Sequence, residues 1–233
     1  MPDLILIDND VVLKACRLAL APDLIALLEP RGQAAILGSA RFVLHNRLAR
    51  RKDVADRASA TAALDGLLLA VPAVEPVDGE VMLAAQFEEL AQTLGLALEG
   101  GESLLFSILV LRPAALLATG DKRAIAAAEA VLARLSAAMG PAIGKVACLE
   151  QVVAALLGVL GPEALRRRVC ADPEADKALA ICFGCGSPSF SGADAAQGLG
   201  SYVGAVRCSA PTLLLPSGDL SAFLAQEHGV GRP

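Results

Sequence analysis

Three places in the chain put carboxylates where a folded sheet would gather them. Asp8-Asn9-Asp10 follows the apolar run Leu4-Ile5-Leu6-Ile7. Glu102 follows the pair Gly100-Gly101 and opens an apolar segment. Asp121 follows Thr119-Gly120 and precedes Lys122-Arg123. Carboxylates that meet at one edge repel each other unless a cation joins them, and hard oxygen ligands of this kind suit Mg²⁺ or Mn²⁺. Such an ion activates water and stabilises charge on a phosphate during transfer. Asp is also a good helix N-cap, and all three places open helices, so any one of them alone reads as a cap. The three together, each behind a strand or a glycine pair, read as a site.

The elements that would position these acids follow from hydrophobic spacing. Leu4–Ile7 is a short β-branched run of the kind that forms a buried parallel strand. Helical spacing follows from Val11 to Leu20, with Asp10 at the N-cap position, and again from Pro22 to Leu28. Ala34–Leu37 is the next strand. Residues 40–69 are helical with a break near Lys52-Asp53, and Val71–Val77 is extended. Helices are expected over Glu80–Leu94 and Glu102–Leu111, a strand over Ala115–Ala118, and a long helix over Asp121–Ala138 closed by Gly140-Pro141. Val146–Leu149 is the last strand. Short apolar strands alternating with helices imply an α/β fold, a parallel sheet of about five strands with helices on its faces. Ligands of such sheets bind at the carboxyl ends of the strands, where the acids lie.

The character changes after about residue 149. Helical pieces at 150–158, 162–170 and 174–183 precede a Gly/Ser-rich stretch from Gly184 to Gly192, and two more pieces are expected at 193–208 and 218–227. Residues 1–149 read as the sheet domain, and 150–233 as a helical extension packed on it.

Composition sets limits on function. Of 233 residues 55% are hydrophobic and only 3% aromatic, with no Trp and one Tyr, so the core is aliphatic. That scarcity excludes base-stacking platforms. The mean hydropathy of +0.57 is high. Yet the apolar stretches near 104–118 and 151–160 are short or cut by Arg112-Pro113 and Gly161-Pro162, and a spanning helix needs roughly 18 uninterrupted apolar residues. Met1-Pro2-Asp3 carries no positive charge, so no export signal is read and the expected compartment is the cytoplasm, with the six cysteines reduced. Cys182 and Cys185 form a CxxC that, with Cys170 and Cys208, could make a four-thiolate zinc site; buried thiols of an apolar interior are the plainer reading. Cys16 and Cys148 read as core. With two histidines, His45 and His228, and no GxSxG elbow, a Ser-His-Asp hydrolase is disfavoured. Neither GxGxxG nor GxxxxGK(S/T) is present, which argues against dinucleotide and ordinary ATP sites. Net charge is −5, but Arg41, Arg47, Arg50, Arg51, Lys52 and Arg57 are concentrated on one helical stretch. They could track a phosphate backbone, or form a solvated face paired with Asp53 and Asp56. Arg166-Arg167-Arg168 reads as a charge run favourable to a helix C-terminus.

The strand plus acid at residues 4–8, the Gly100-Gly101-Glu102 helix start and the string Leu116-Leu117-Ala118-Thr119-Gly120-Asp121-Lys122-Arg123 resemble the PIN-domain superfamily of metal-dependent ribonucleases. The likeness covers about residues 3–149 and lies in the ordered set of motifs. It implies a Rossmann-like sheet and single-stranded RNA cleavage by a metal-activated water. It implies Asp8, Glu102 and Asp121 as ligands of Mg²⁺ or Mn²⁺, with Asp10 in support. Arg41, Arg47, Arg50, Arg51 and Lys122 would then contact RNA. A homodimer, or an antitoxin-like or other protein partner, is compatible with this likeness. One feature departs from it. A further acid is usual on the helix after the second strand, whereas residues 38–47 carry none and offer Arg41, His45 and Asn46 instead. A catalytically degraded PIN-like binding or regulatory protein is therefore the alternative. The Asp8-Asn9-Asp10 string also resembles the first motif of haloacid-dehalogenase-type phosphatases. In that case Asp8 would be the nucleophile and Asp10 the general acid/base, with Lys145 or Lys122 neutralising the phospho-aspartate. That family expects another acid soon after Gly120-Asp121, and Lys122–Ala128 supplies none.

Overall fold

The structure, a computed structural model, describes residues 3–216 and 220–225. His228 and four positions of the helix expected over 218–227 lie outside the described residues. Five strands form one all-parallel sheet: β1 (Asp3–Ile7), β2 (Gly32–Leu37), β3 (Ala73–Val74), β4 (Ala114–Thr119) and β5 (Val146–Cys148). The spatial order β3-β2-β1-β4-β5 is Rossmann-like, with the reversal between β1 and β4. Parallel pairing needs a crossover between successive strands, and helices supply it. These are α1 (Asn9–Arg17) and α2 (Ala21–Leu28), α3 (Ala40–Arg50) and α4 (Arg57–Ala70), α5 (Asp78–Thr93) and α6 (Gly100–Leu111), and α7 (Lys122–Arg134) and α8 (Ser136–Ala142). The expected α/β architecture is the observed one.

Both faces of the sheet are covered, so the strands read as continuous apolar runs. Their side chains still alternate between two cores. Ile5, Ile7, Ala34, Ile36, Leu116, Ala118 and Ala147 join one cluster. Leu6, Ala35, Leu37, Leu117, Val146 and Cys148 join the other.

The C-terminal part contributes α9 (Leu149–Leu160), α10 (Pro162–Ala171), a 3-10 turn at Pro173–Ala175, α11 (Lys177–Cys182), α12 (Gly192–Ser209) and α13 (Leu220–Ala225). Val152, Val153 and Leu156 of α9 and Leu199 of α12 bury in the same cluster as Ile5 and Ile7. Sheet and C-terminal helices thus share a core. After α12 the chain returns to the sheet, where Leu214 makes an isolated parallel bridge with Val146 of β5.

Several local expectations are corrected. The N-cap of α1 is Asp8, whose side chain accepts from the Asn9 N–H; Asp10 lies inside the first turn. The long helix expected over Asp121–Ala138 is two, because Leu135 leaves the helical conformation, and the second runs through Gly140-Pro141. The cysteines are not all reduced. Cys170 and Cys185 form a disulfide, because the turn from α10 into α11 brings their Cα atoms to 5.2 Å. The four-thiolate zinc reading therefore fails. Two of its thiolates are bonded to each other, Cys182 is buried and Cys208 is exposed. The Arg166-Arg168 run does not simply attend a helix end. Arg166 donates to the carbonyls of Phe183, Gly184 and Ser187 and stacks on Phe190, pinning the Gly/Ser-rich loop, and Arg168 pairs with Asp23. Among the described residues no helix is long and apolar enough to cross a membrane.

Candidate functional site

Parallel strands bring their carboxyl ends to one edge, and the acids meet there. Asp8 directly follows β1 and is 7% exposed. Its carboxylate accepts from the Asn9 N–H at 2.7 Å and from the Thr119 hydroxyl at 3.0 Å, so β1 and β4 are tied at their ends. Asp121 follows β4 and caps α7, accepting from the N–H groups of Arg123 and Ala124. Glu102 lies in the first turn of α6, where its Oε2 accepts from the Glu99 N–H at 3.0 Å. Each acid therefore has a capping role, as its place at the start of a helix leads one to expect.

Caps alone do not account for the electrostatics. Burial pushes Glu102 up most, the Glu99 N–H opposes it, and the negative charges of Asp121, Asp8 and Glu99 add to it, carrying the carboxyl to about 7. Asp8 is also raised, chiefly by burial, against its bond to Thr119 and with the charge of Asp10 adding to it. The charges of Asp8 and Asp121 thus raise the cost of ionising Glu102, which is a condition that a cation relieves. The donor set is of the type a hard divalent ion takes: oxygen only, from three separate elements. It is not a finished cage. Among the described residues no group of three or more His, Cys, Asp or Glu side chains is placed to hold a metal ion.

Asp10 has another engagement. Its Oδ2 lies 2.6 Å from Lys14 Nζ, and Lys14 also meets Asp176 at 2.9 Å. Gly120 is the residue that makes room for this pair, since a Cβ there would come within 2.1 Å of Asp10 Oδ2. Lys122 forms an ion pair with Glu150, in the first turn of α9 behind β5. Glu150 is 1% exposed and is not among the acids that the sequence singles out. The signal available was its place: like Asp8 and Asp121, it closely follows a strand.

The basic stretch is brought to the edge only in part. Arg41, at the start of α3 behind β2, donates to the Val71 carbonyl at 3.4 Å. Arg47 and Arg50 are exposed and lie toward the far end of α3, on the order of 10 Å or more from the strand ends at 1.5 Å per residue. Arg51 pairs with Asp53 and lines a narrow crevice together with Asp10, Lys14 and Arg17. Arg57 donates to the carbonyls of Leu48, Ala49 and Arg51 and serves α3 as a cap. His45 pairs with Asp65 of α4. Lys145 precedes β5, at the edge of the sheet opposite Asp8, so it is removed from any phospho-aspartate reading.

Comparison of the chain with protein-family models, with curated proteins and with solved structures gave no match to any of them.

Proposed function

We propose that the chain is a PIN-like, divalent-cation-dependent ribonuclease whose site is the carboxyl edge around β1 and β4. The observation that carries this reading is the convergence of Asp8, Glu102 and Asp121, from three elements, with Glu102 raised to about 7. Asp8 and Asp121, held by backbone N–H groups and Thr119, would present oxygens to Mg²⁺ or Mn²⁺, with Glu102 as the third donor. The bound ion would supply a water acidic enough to attack a phosphodiester. Asp8 keeps the ends of β1 and β4 in register. Glu102 would have to give up its proton to bind a cation, so cation affinity would rise with pH through neutrality. Arg41 and Lys122 lie near enough to the edge to meet the phosphate backbone; Arg47 and Arg50 would contact RNA only beyond the cleaved bond.

The test is a single-stranded RNA incubated with Mn²⁺ and wild-type or Asp8→Asn protein. Cleavage by the wild type and its loss in Asp8→Asn is the expected result. Activity that survives the substitution sinks the site. A second reading, a PIN-like protein that binds without cutting, is favoured by one observation: the first turn of α3 carries no acid. Mn²⁺ or RNA binding without cleavage in the same assay would establish it.

A further inference from the structure

The carboxylates gathered near this edge would repel a polyanion, yet Lys14 and Lys122 are built in among them. Lys14 Nζ lies between Asp10 and Asp176 and 3.5 Å from where a Cβ of Gly120 would stand. Gly120 itself sits between Thr119, which bonds Asp8, and Asp121. The Lys14 ammonium is thus seated against the acid edge. Lys122, the neighbour of Asp121, pairs with Glu150 and lies 4.6 Å over the ring of Tyr202.

In both cases holding groups come from the C-terminal helices. Asp176 is the N-cap of α11, Glu150 stands in the first turn of α9 and Tyr202 is on α12. Glu150 is the more telling. Neither of its buried oxygens has a hydrogen bond of ordinary geometry, so the Lys122 ammonium is the charge that meets it. A buried acid kept only for stability is generally served as well by an apolar residue. Here it fixes a lysine whose side chain remains 37% exposed. A free lysine loses rotamer freedom when it grips a phosphate, and one already held loses little. An ammonium has three donors, and Lys14 directs two at carboxylates, leaving one for a phosphate oxygen.

We propose that Lys14 and Lys122 are phosphate-contacting cations of this edge, and that Asp176, Glu150 and Tyr202 are the positioning residues that hold them there. The substrate class rests on the ribonuclease reading; the placement of the lysines does not. The C-terminal helices are then part of the site.

The experiment measures binding of a fluorescein-labelled single-stranded RNA to the full chain by anisotropy, in Ca²⁺ and over a salt series, with Mn²⁺ binding followed separately by electron paramagnetic resonance. Lys14→Met and Lys122→Met should each weaken RNA binding about tenfold and flatten the salt slope by about 0.7 for each phosphate no longer neutralised. Asp176→Asn should weaken it about fivefold, and that loss should vanish in the Lys14→Met background, because a positioning residue acts only through its partner. Glu150→Gln should behave likewise toward Lys122. If that variant does not fold, Tyr202→Leu carries the same expectation with every charge kept. Unchanged affinity and slope in the lysine variants, or fully multiplicative losses in the double variants, overturn the inference even where Mn²⁺ binds. Lost RNA affinity in the lysine variants of a protein that binds no Mn²⁺ keeps the inference and sinks the metal-dependent reading. A wild type without RNA affinity sinks both.

Discussion

The acids at the carboxyl edge and the acids elsewhere in the interior are treated differently. Away from the Asp8–Glu102–Asp121 group, buried acids are met by cations. Asp172 pairs with Arg17 at 2.8 Å, both side chains nearly closed to solvent. Glu80, 1% exposed, is held by Arg112, which also donates to the Glu75 carbonyl. As a result Glu80 stays below its ordinary pKa in spite of burial, which pushes it the other way. Asp8 and Glu102 have backbone N–H and hydroxyl donors instead, and both are raised. The same fold therefore meets Asp172 and Glu80 with arginines. Asp8 and Glu102 have no cation beside them among the ion pairs of the described residues, and Asp121 has only the exposed Arg123 at 3.5 Å.

The contrast breaks most visibly on the paired side. Arg17→Met leaves Asp172 buried without its charge partner and should cost about 3–5 kcal/mol in urea unfolding. Cys170→Ser opens the loop that carries Asp172 and Asp176. With a separation of 15 residues the bond contributes about 3 kcal/mol in the chain-entropy account, so thermal unfolding with and without a dithiol reductant should differ in wild type and coincide in the variant.

On the unpaired side the sign reverses. A carboxyl whose folded pKa is raised contributes stability that is complete below its ordinary value of 4.5 and is lost as pH rises through about 7. Wild type should thus lose stability between pH 5 and pH 8. Glu102→Gln should be the more stable protein at pH 8, by about 1–2 kcal/mol once partial solvent screening is allowed for. Added Mn²⁺ should raise the melting temperature of wild type at pH 8 and not that of Glu102→Gln. The smallest effect is on α3. The side chains of Arg47 and Arg50 make no hydrogen bond or ion pair among the described residues, so Arg47→Ala and Arg50→Ala should change stability by less than about 0.5 kcal/mol in the same unfolding assay.

What can be read from the sequence is local. A β-branched run followed by an acid, a glycine pair before Glu102 and Thr119-Gly120-Asp121 each state their own role within a few residues. The parallel sheet and the three acids at its edge follow from these. The break near Lys52-Asp53 is legible for the same reason. What stays hidden depends on distant pairing. Nothing near Lys14 points to Asp176, and nothing near Lys122 points to Glu150 or Tyr202. The Cys170–Cys185 bond depends on how α10 and α11 fold back on each other. The cap of α1 is ambiguous in sequence because Asp8 and Asp10 are equally good capping residues two positions apart, and only the backbone decides between them.

The return of the chain beside β5 bears on solubility. An open sheet offers two rows of unpaired peptide groups, and a long bare edge invites another chain to add a strand. Here one border strand, β3, has only two residues. The other, β5, donates its Val146 N–H to the Leu213 carbonyl and accepts from the Leu215 N–H, while Glu129 receives the N–H groups of Thr212 and Leu213. The segment 212–215 is thus a selvedge, and a chain cut at residue 210 should self-associate through the exposed strand.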